Sequence, residues 1–392
     1  MKEQIVRCIV NSIPKNRVER VEEYNRWLEW SKSADKRIII FGAAEMCGIC
    51  LRHLFKLGIR VDCICCNDTE QYGEYHVDSE RSLEVVSVEE AMKDAENSIC
   101  FVAVGSQHHE DIKKQLEEYH LAEIVMKWHL DFYLEVTLML LDETITMEDN
   151  IRELFQFYED ETSWKILFEH FKMLLELNDI PKVLDDIKMD ELCVKPQYFL
   201  EDGKYLEKQE VMVDCGAFIG DTLSDLLNVV KYDDFDKYEC YEMDKITFDR
   251  LSKSITRYSD KIQKKINIYN LGVGDNDLEM NYHQNDRGGS RIASSGEGTA
   301  SIIKLDNACK DKRVSFIKMD IEGSEQSALR GAEETIRSCK PMCAICIYHS
   351  ISAFWDIPHI LKTYVPEYKL ILRHHTTFWD DSVCYAKVGE WE

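Results

Sequence analysis

One pattern occurs twice in this chain, and it leaves few folds open. The stretch KRIIIFGAAEMCGICLRHLFKLGIRVDCICCND runs as an apolar segment, a glycine, a helical stretch and a second apolar segment ending at an acid. VMVDCGAFIGDT, TLSDLLNVV and KYECYEMD repeat it. Gly42 and Asp68 stand 26 residues apart, as do Gly216 and Glu242. Strand, helix and strand in this order read as a βαβ unit with parallel strands, the crossover that parallel pairing needs. At such a turn the glycine lets a ligand approach the backbone, and the acid at the next strand end accepts hydrogen bonds from ribose hydroxyls.

The pattern divides the chain. Residues 1–35 read as an amino-terminal helical segment (VERVEEYNRWLEW, apolar along Val21, Leu28 and the tryptophans), and 36–129 as a small Rossmann-like α/β domain. Residues 130–200 change to helical periodicity in DFYLEVTLMLLDETI, IRELFQFYED and WKILFEHFKMLLELND, a helical linker. Its aromatic and leucine positions are read as core or inter-domain packing, with a homodimer surface as the alternative. Residues 201–392 alternate strand and helix again and close with YKLILRHH and SVCYAKV, outlining a doubly wound sheet of seven strands. HQNDRGGSRIASSGEGTAS, rich in glycine and serine, is expected to be a loop, with Arg287 and Arg291 available to an anionic group.

Composition narrows the partners. A formal charge of −25 argues against nucleic acid, whose binding draws on clustered lysine and arginine, and favours a neutral or cationic ligand. The start MKEQIVRCIVNSIPKN is too polar for a signal peptide, and no apolar run is long enough to span a membrane, so the expected location is cytoplasmic. Fifteen cysteines then imply a reducing compartment rather than a disulfide framework. The CxxC pairs at Cys63 and Cys66 and at Cys343 and Cys346 lie in strand-like runs, where i and i+3 face opposite ways and cannot share a zinc ion.

The two glycine turns differ. In GAAEMCG the dinucleotide pattern is broken at Ala44 and Cys47. In VDCGAFIGDT, Asp214 and Asp221 flank the glycines, and Asp221 at a helix start repels a pyrophosphate. NAD is thereby disfavoured. A ligand with ribose hydroxyls and cationic groups suits the turn, and S-adenosylmethionine has both. A third acidic feature is FIKMDIEGSE, where Asp320, Glu322 and Glu325 surround Gly323.

The motifs VDCGAFIGDT, YECYEMD, FIKMDIEGSEQSALRGAEETI, ICIYHS and YKLILRHHT resemble the FkbM-type family of S-adenosylmethionine-dependent methyltransferases, over about residues 196 to 388. The preceding α/β unit and linker resemble the amino-terminal extension of longer members. The resemblance implies a class I methyltransferase fold, a Rossmann-like seven-stranded sheet, and methyl transfer to a hydroxyl of a sugar, glycan or related metabolite. Carried over by position, Asp214, Gly216, Phe218, Gly220 and Asp221 fall on the donor-binding turn, and Glu242 falls on the ribose acid. Val273 falls beside the adenine, with Asp275 a weaker candidate there. Asp320 is expected near donor and acceptor, with Glu322 as its partner in acceptor binding or proton handling. Glu325 is expected to complement the next helix. His349 and His375 stand as further catalytic candidates at strand ends, alongside His374. No metal is expected; a divalent ion joining Asp320 to another acid is the alternative, for which no second ligand motif is found.

Two other readings compete. One is an oxidoreductase using NAD or a nucleotide-sugar on GAAEMCG, against which the broken glycine pattern counts. The other is a noncatalytic nucleotide-binding protein, against which the intact set Gly216, Gly220, Glu242 and Asp320 counts.

Overall fold

The computed structural model describes residues 1–32, 36–43, 45–56, 58–76, 81–104, 108–126, 147–175, 177, 180–206, 208, 211–283, 290–293, 298–376 and 381–391. The expected helix DFYLEVTLMLLDETI and Arg287 lie outside these residues, as do the side chains of Trp27, Leu28, Trp30 and Arg291. The chain divides into two compact units, Ser12–Met147 and Met1–Asn11 with Glu148–Glu392. The long helix Lys2–Lys32 contributes to both. Among the described residues no helix is long and apolar enough to cross a membrane.

The first unit holds β1 (Arg37–Phe41), β2 (Cys63–Cys66), β3 (Gly73–His76), β4 (Ser82–Ser87), β5 (Ser98–Val102) and β6 (Glu123–Val125), in the order β3-β4-β2-β1-β5-β6. β1 and β2 pair in parallel as the βαβ pattern requires, and β3 is antiparallel to β4. β1, β2 and β5 are buried nearly throughout because helices cover both faces of a parallel sheet.

The second unit carries β7 (Val211–Cys215), β8 (Lys237–Tyr241), β9 (Ile266–Tyr269), β10 (Gly272–Val273), β11 (Leu278–His283), β12 (Arg291–Ala293), β13 (Gly298–Ile303), β14 (Val314–Met319), β15 (Met342–Cys346), β16 (Tyr368–His374) and β17 (Ser382–Val388). Seven of them form one sheet, ordered β16-β17-β15-β14-β7-β8-β9, in which β17 runs antiparallel to both neighbours. The strand order reverses at β7, between β14 and β8, so the crevice beyond the carboxyl ends of these strands is where a ligand belongs.

One expectation is corrected. Part of HQNDRGGSRIASSGEGTAS is not loop: Arg291–Ala293 and Gly298–Ile303 are strands of a four-stranded sheet ordered β10-β13-β11-β12. The glycine and serine content hid a period of two in GTASII, where Ala300 and Ile302 point inward against Tyr282. The run INIYNLGVG likewise splits, β9 staying in the large sheet and β10 joining the small one.

All fifteen cysteines are free. Burial pushes the thiols of Cys47, Cys343 and Cys384 up to about 12, so they behave as small hydrophobes.

Candidate active site

The site begins where β7 ends. Gly216 adopts φ +75°, and a Cβ there would lie inside 3.0 Å of the Asp320 carbonyl oxygen at the end of β14. Only glycine lets the two strand ends meet this closely. Gly216 and Ala217 donate their N–H groups to Tyr241 O at 2.9 and 3.0 Å, which ties the turn to the end of β8.

Glu242, the next residue after β8, closes the connection. Its Oε2 accepts from Phe218 N–H at 3.0 Å and its Oε1 from Asp244 N–H at 2.9 Å. Burial pushes this carboxyl up to about 7, against the pull of those two N–H groups. A cavity of about 410 Å³ opens here, within the usual range for small-molecule pockets. Gly216, Phe218, Asp221, Glu242 and Val273 all line it, as do Asp320 and Glu322.

Asp214 and Gly220 are placed differently. Asp214 is fully buried, with Tyr238 OH donating to Oδ2 at 3.1 Å and Lys318 Nζ at 3.1 Å from Oδ1. Lys318 sits opposite it in the ladder between β14 and β7 and also donates to Gly216 O at 2.7 Å. Burial opposes the Lys318 charge, but the carboxylates of Asp214, Asp320 and Asp221 outweigh it and keep the lysine protonated. Gly220 caps the helix that starts at Asp221. Asp214 and Gly220 thus support the turn from outside the cavity lining.

FIKMDIEGSE supplies the opposite wall. The Asp320 side chain is 25% exposed, and it accepts from Tyr198 OH at 2.8 Å on Oδ2 and from Tyr348 OH at 3.1 Å on Oδ1. Burial works against its charge, yet Lys318, His349 and the two phenols hold its carboxyl below the usual carboxylate range. Glu322 adopts φ +56° and Gly323 +97°, so the chain doubles back and sets both acids on the same side.

His349 meets all three acids of the motif. Its Nδ1 lies 2.8 Å from Glu325 Oε1, while Nε2 lies 3.5 Å from Asp320 Oδ1 and 3.7 Å from Glu322 Oε2. The longer pair exceed good hydrogen-bond distance, so Nε2 faces the two carboxylates across a gap. Burial lowers the affinity of His349 for a proton, but Glu325, Asp320 and Glu322 together push it up to about 9. Glu325 opens a helix as expected, and it also accepts from Ile321 N–H at 2.9 Å. Asp320, Glu325 and His349 place ligand-type atoms within 4.8 Å of one another. Glu325 Oε1 meets both Nδ1 and the Ile321 N–H, so one imidazole gathers the three carboxylates into a single cluster.

His375 and His374 do not line the cavity. His375 is buried between Val194 O (2.8 Å from Nδ1) and Tyr385 OH (2.9 Å from Nε2). His374 Nδ1 lies 2.8 Å from Ser382 Oγ, which also meets His170 Nε2 at 2.7 Å. The sequence reading missed Tyr198, Tyr348 and Lys318. Tyr198 is 122 residues from the carboxylate it holds, beyond the reach of any spacing argument. Lys318 did leave a trace, because a lysine inside an apolar parallel strand must find a buried acid.

A seven-stranded sheet with one reversed strand, and a glycine turn and an acid at its crevice, define a class I methyltransferase fold. Residues 214–375 match the family model described as the methyltransferase FkbM domain, so the second unit carries such a domain and the protein is a methyltransferase using S-adenosylmethionine. The chain is similar to the crystal structure of methyltransferase FkbM from Methylobacillus flagellatus KT, with 21% identity and a TM-score of 0.64 over 98% of this chain and all of that one. A putative rRNA-methylase from Clostridium thermocellum matches with 11% identity and a TM-score of 0.34 over 51% of this chain and all of that one. No curated protein matches this chain at a significant level.

Proposed function

We propose that the second unit transfers the methyl group of S-adenosylmethionine to a hydroxyl of an uncharged sugar, glycan or related metabolite. The observation that carries this reading is the Asp320 carboxylate, set at the cavity wall directly across the Gly216 turn. The bound donor supplies a methyl group made electrophilic by its sulfonium.

The residues fit that donor. Glu242 offers a buried carboxylate with lone pairs left for ribose hydroxyls, and Gly216 leaves backbone where a side chain would stand. Asp221, Glu242, Asp320, Glu322 and Asp381 line the cavity, whereas its one described lysine, Lys318, is spent on Asp214 and Gly216. Such a wall suits a cationic donor and a neutral acceptor and repels a phosphorylated one.

Asp320 Oδ atoms orient the acceptor hydroxyl and take its proton. A carboxylate below the usual range is a weak base, but a hydroxyl oxygen gaining a methyl becomes strongly acidic, so the transfer is downhill. His349, from the far side, balances the Asp320 charge until that proton arrives. Orientation of the reactants can supply roughly 7–11 kcal/mol of the barrier, and a positioned base about 10²–10⁴ in rate.

The test is transfer of labelled methyl from S-adenosylmethionine to a panel of neutral methyl glycosides, with Asp320→Asn alongside. Asp320→Asn should keep donor affinity within about tenfold and lose about 10²-fold or more in turnover. Retained turnover would remove Asp320 as the base.

A further inference from the structure

The hydrogen bonds that fix Tyr198 lead back to a histidine that never meets the cavity. His375 Nδ1 lies 2.8 Å from Val194 O, and a carbonyl only accepts, so Nδ1 carries the proton and Nε2 is an acceptor. Tyr385 OH, 2.9 Å from Nε2, must therefore donate to it. With its proton spent, the Tyr385 oxygen accepts Tyr198 N–H at 3.0 Å. Tyr198 OH in turn donates to Asp320 Oδ2 at 2.8 Å. On a neutral ring the first two directions follow from that carbonyl, and the other two are set by the Tyr198 N–H as a donor and the Asp320 carboxylate as an acceptor. Burial pushes His375 down to about 4, so the neutral ring that the chain requires persists at ordinary pH.

A second observation shows why Tyr198 needs holding. Its φ is +68°, a left-handed conformation that strains a non-glycine residue and survives only where the surroundings over-determine it. The segment before it is tied to the end of β16, with Val194 N–H donating to His374 O at 2.9 Å.

We propose that His375 is a positioning residue for the methyl-transfer site: through the Tyr385 hydroxyl it holds the Tyr198 backbone, and thereby the phenol that orients the Asp320 carboxylate. The proposal rests on the role given to Asp320 above. The charged and titratable groups facing Asp320 are Lys318 on its own strand, His349, Glu322, Tyr348 and Tyr198, whose hydroxyl also lies 3.7 Å from Cys346 Sγ. Tyr385 and His375 make no hydrogen bond to Asp320, so a packing role alone would leave its titration untouched.

The experiment is a carboxyl-carbon NMR titration of aspartate-labelled protein, with the Asp320 signal identified by its loss in Asp320→Asn. Tyr198→Phe removes the phenol and should raise the Asp320 midpoint by about one unit, tenfold in proton affinity. Tyr385→Phe, which keeps the ring, should raise it similarly, and the double variant should go no further. His375→Leu should follow Tyr385→Phe, while His375→Gln, which keeps a donor and an acceptor, should stay near the wild type. An unmoved Asp320 midpoint in Tyr385→Phe, or shifts that add in the double variant, would overturn the proposal. Nitrogen NMR of the wild-type histidines decides it without any variant: His375 must be neutral with its proton on Nδ1 between pH 5 and 8, and a cationic ring or the other tautomer overturns it. These readouts need neither donor nor acceptor, so they stand apart from the turnover of Asp320→Asn that tests the proposed function.

Discussion

The two glycine turns have equal spacing to their acids and different surroundings. Gly42 and Gly216 both take positive φ, and each lies where a Cβ would run into a carbonyl oxygen from the adjacent strand end, Ala103 in one and Asp320 in the other. The acids diverge. Glu242 is buried and accepts the Phe218 amide of its own glycine turn, joining turn and strand end into one wall. Asp68 is exposed, and its Oδ1 accepts from Glu70 N–H two residues onward, capping a short helical turn. Spacing brings an acid to the right strand end, but a site needs the carboxylate to reach back to the turn.

The largest expected effect breaks the comparison at the glycines. Gly216→Ala and Gly42→Ala should each destabilise their own unit by about 3 kcal/mol or more, since each adds left-handed strain and an overlap. Only Gly216→Ala should abolish S-adenosylmethionine binding in calorimetry, weakening it more than about 100-fold. Loss of donor binding in Gly42→Ala, measured where that variant is folded, would mean that the first turn also serves the donor.

Next comes charge burial, which the second turn has and the first lacks. His349 binds its proton up to about pH 9 in the folded protein, above the ordinary 6.5 of an unfolded histidine. The folded state therefore holds the extra proton. The stabilisation is complete below pH 6.5 and is lost as pH rises through about 9, at most about 3 kcal/mol in all. Denaturant unfolding across that window should show the decline, and Glu325→Gln should flatten most of it. An equally steep profile in Glu325→Gln would place the proton elsewhere.

Glu242 gives a smaller effect with its own sign. Its pKa near 7 means that the free site is half protonated at neutral pH, while ribose hydroxyls donate best to the ionised form. Donor affinity should rise with pH up to about 7 and level off above it, by no more than tenfold per pH unit. Glu242→Gln should lower affinity about tenfold and remove the slope. A flat wild-type profile would take the ribose away from Glu242.

Much of this arrangement was legible because it is local. Gly216, Phe218 and Glu242 follow from a strand, a turn and the next strand end, and Asp320 from the end of another apolar run. What escaped is what tertiary contact supplies. The phenols of Tyr198 and Tyr348 reach Asp320 across 122 and 28 residues, and the partner of Glu325 lies 24 residues onward at His349. His375 was legible as a strand-end histidine, but only the fold shows its nitrogens consumed by Val194 and Tyr385. The small sheet escaped because glycine and serine signal turns more loudly than three inward side chains signal a strand.

The smallest expected effect is at Asp68, and it tests the comparison from the other end. If Asp68 is only a cap, Asp68→Ala should cost the first unit about 0.5–2 kcal/mol in thermal unfolding and Asp68→Asn almost nothing, because asparagine caps as well as aspartate. Neither change should alter S-adenosylmethionine affinity. Titrating NAD into the wild type and both variants supplies the opposing outcome. A carboxylate that accepts two ribose hydroxyls is replaced poorly by an amide, whereas a cap accepting one N–H is replaced well. NAD binding that falls in Asp68→Asn while stability holds would therefore make the first turn a working nucleoside site, and the difference between the two units would be one of ligand and not of function.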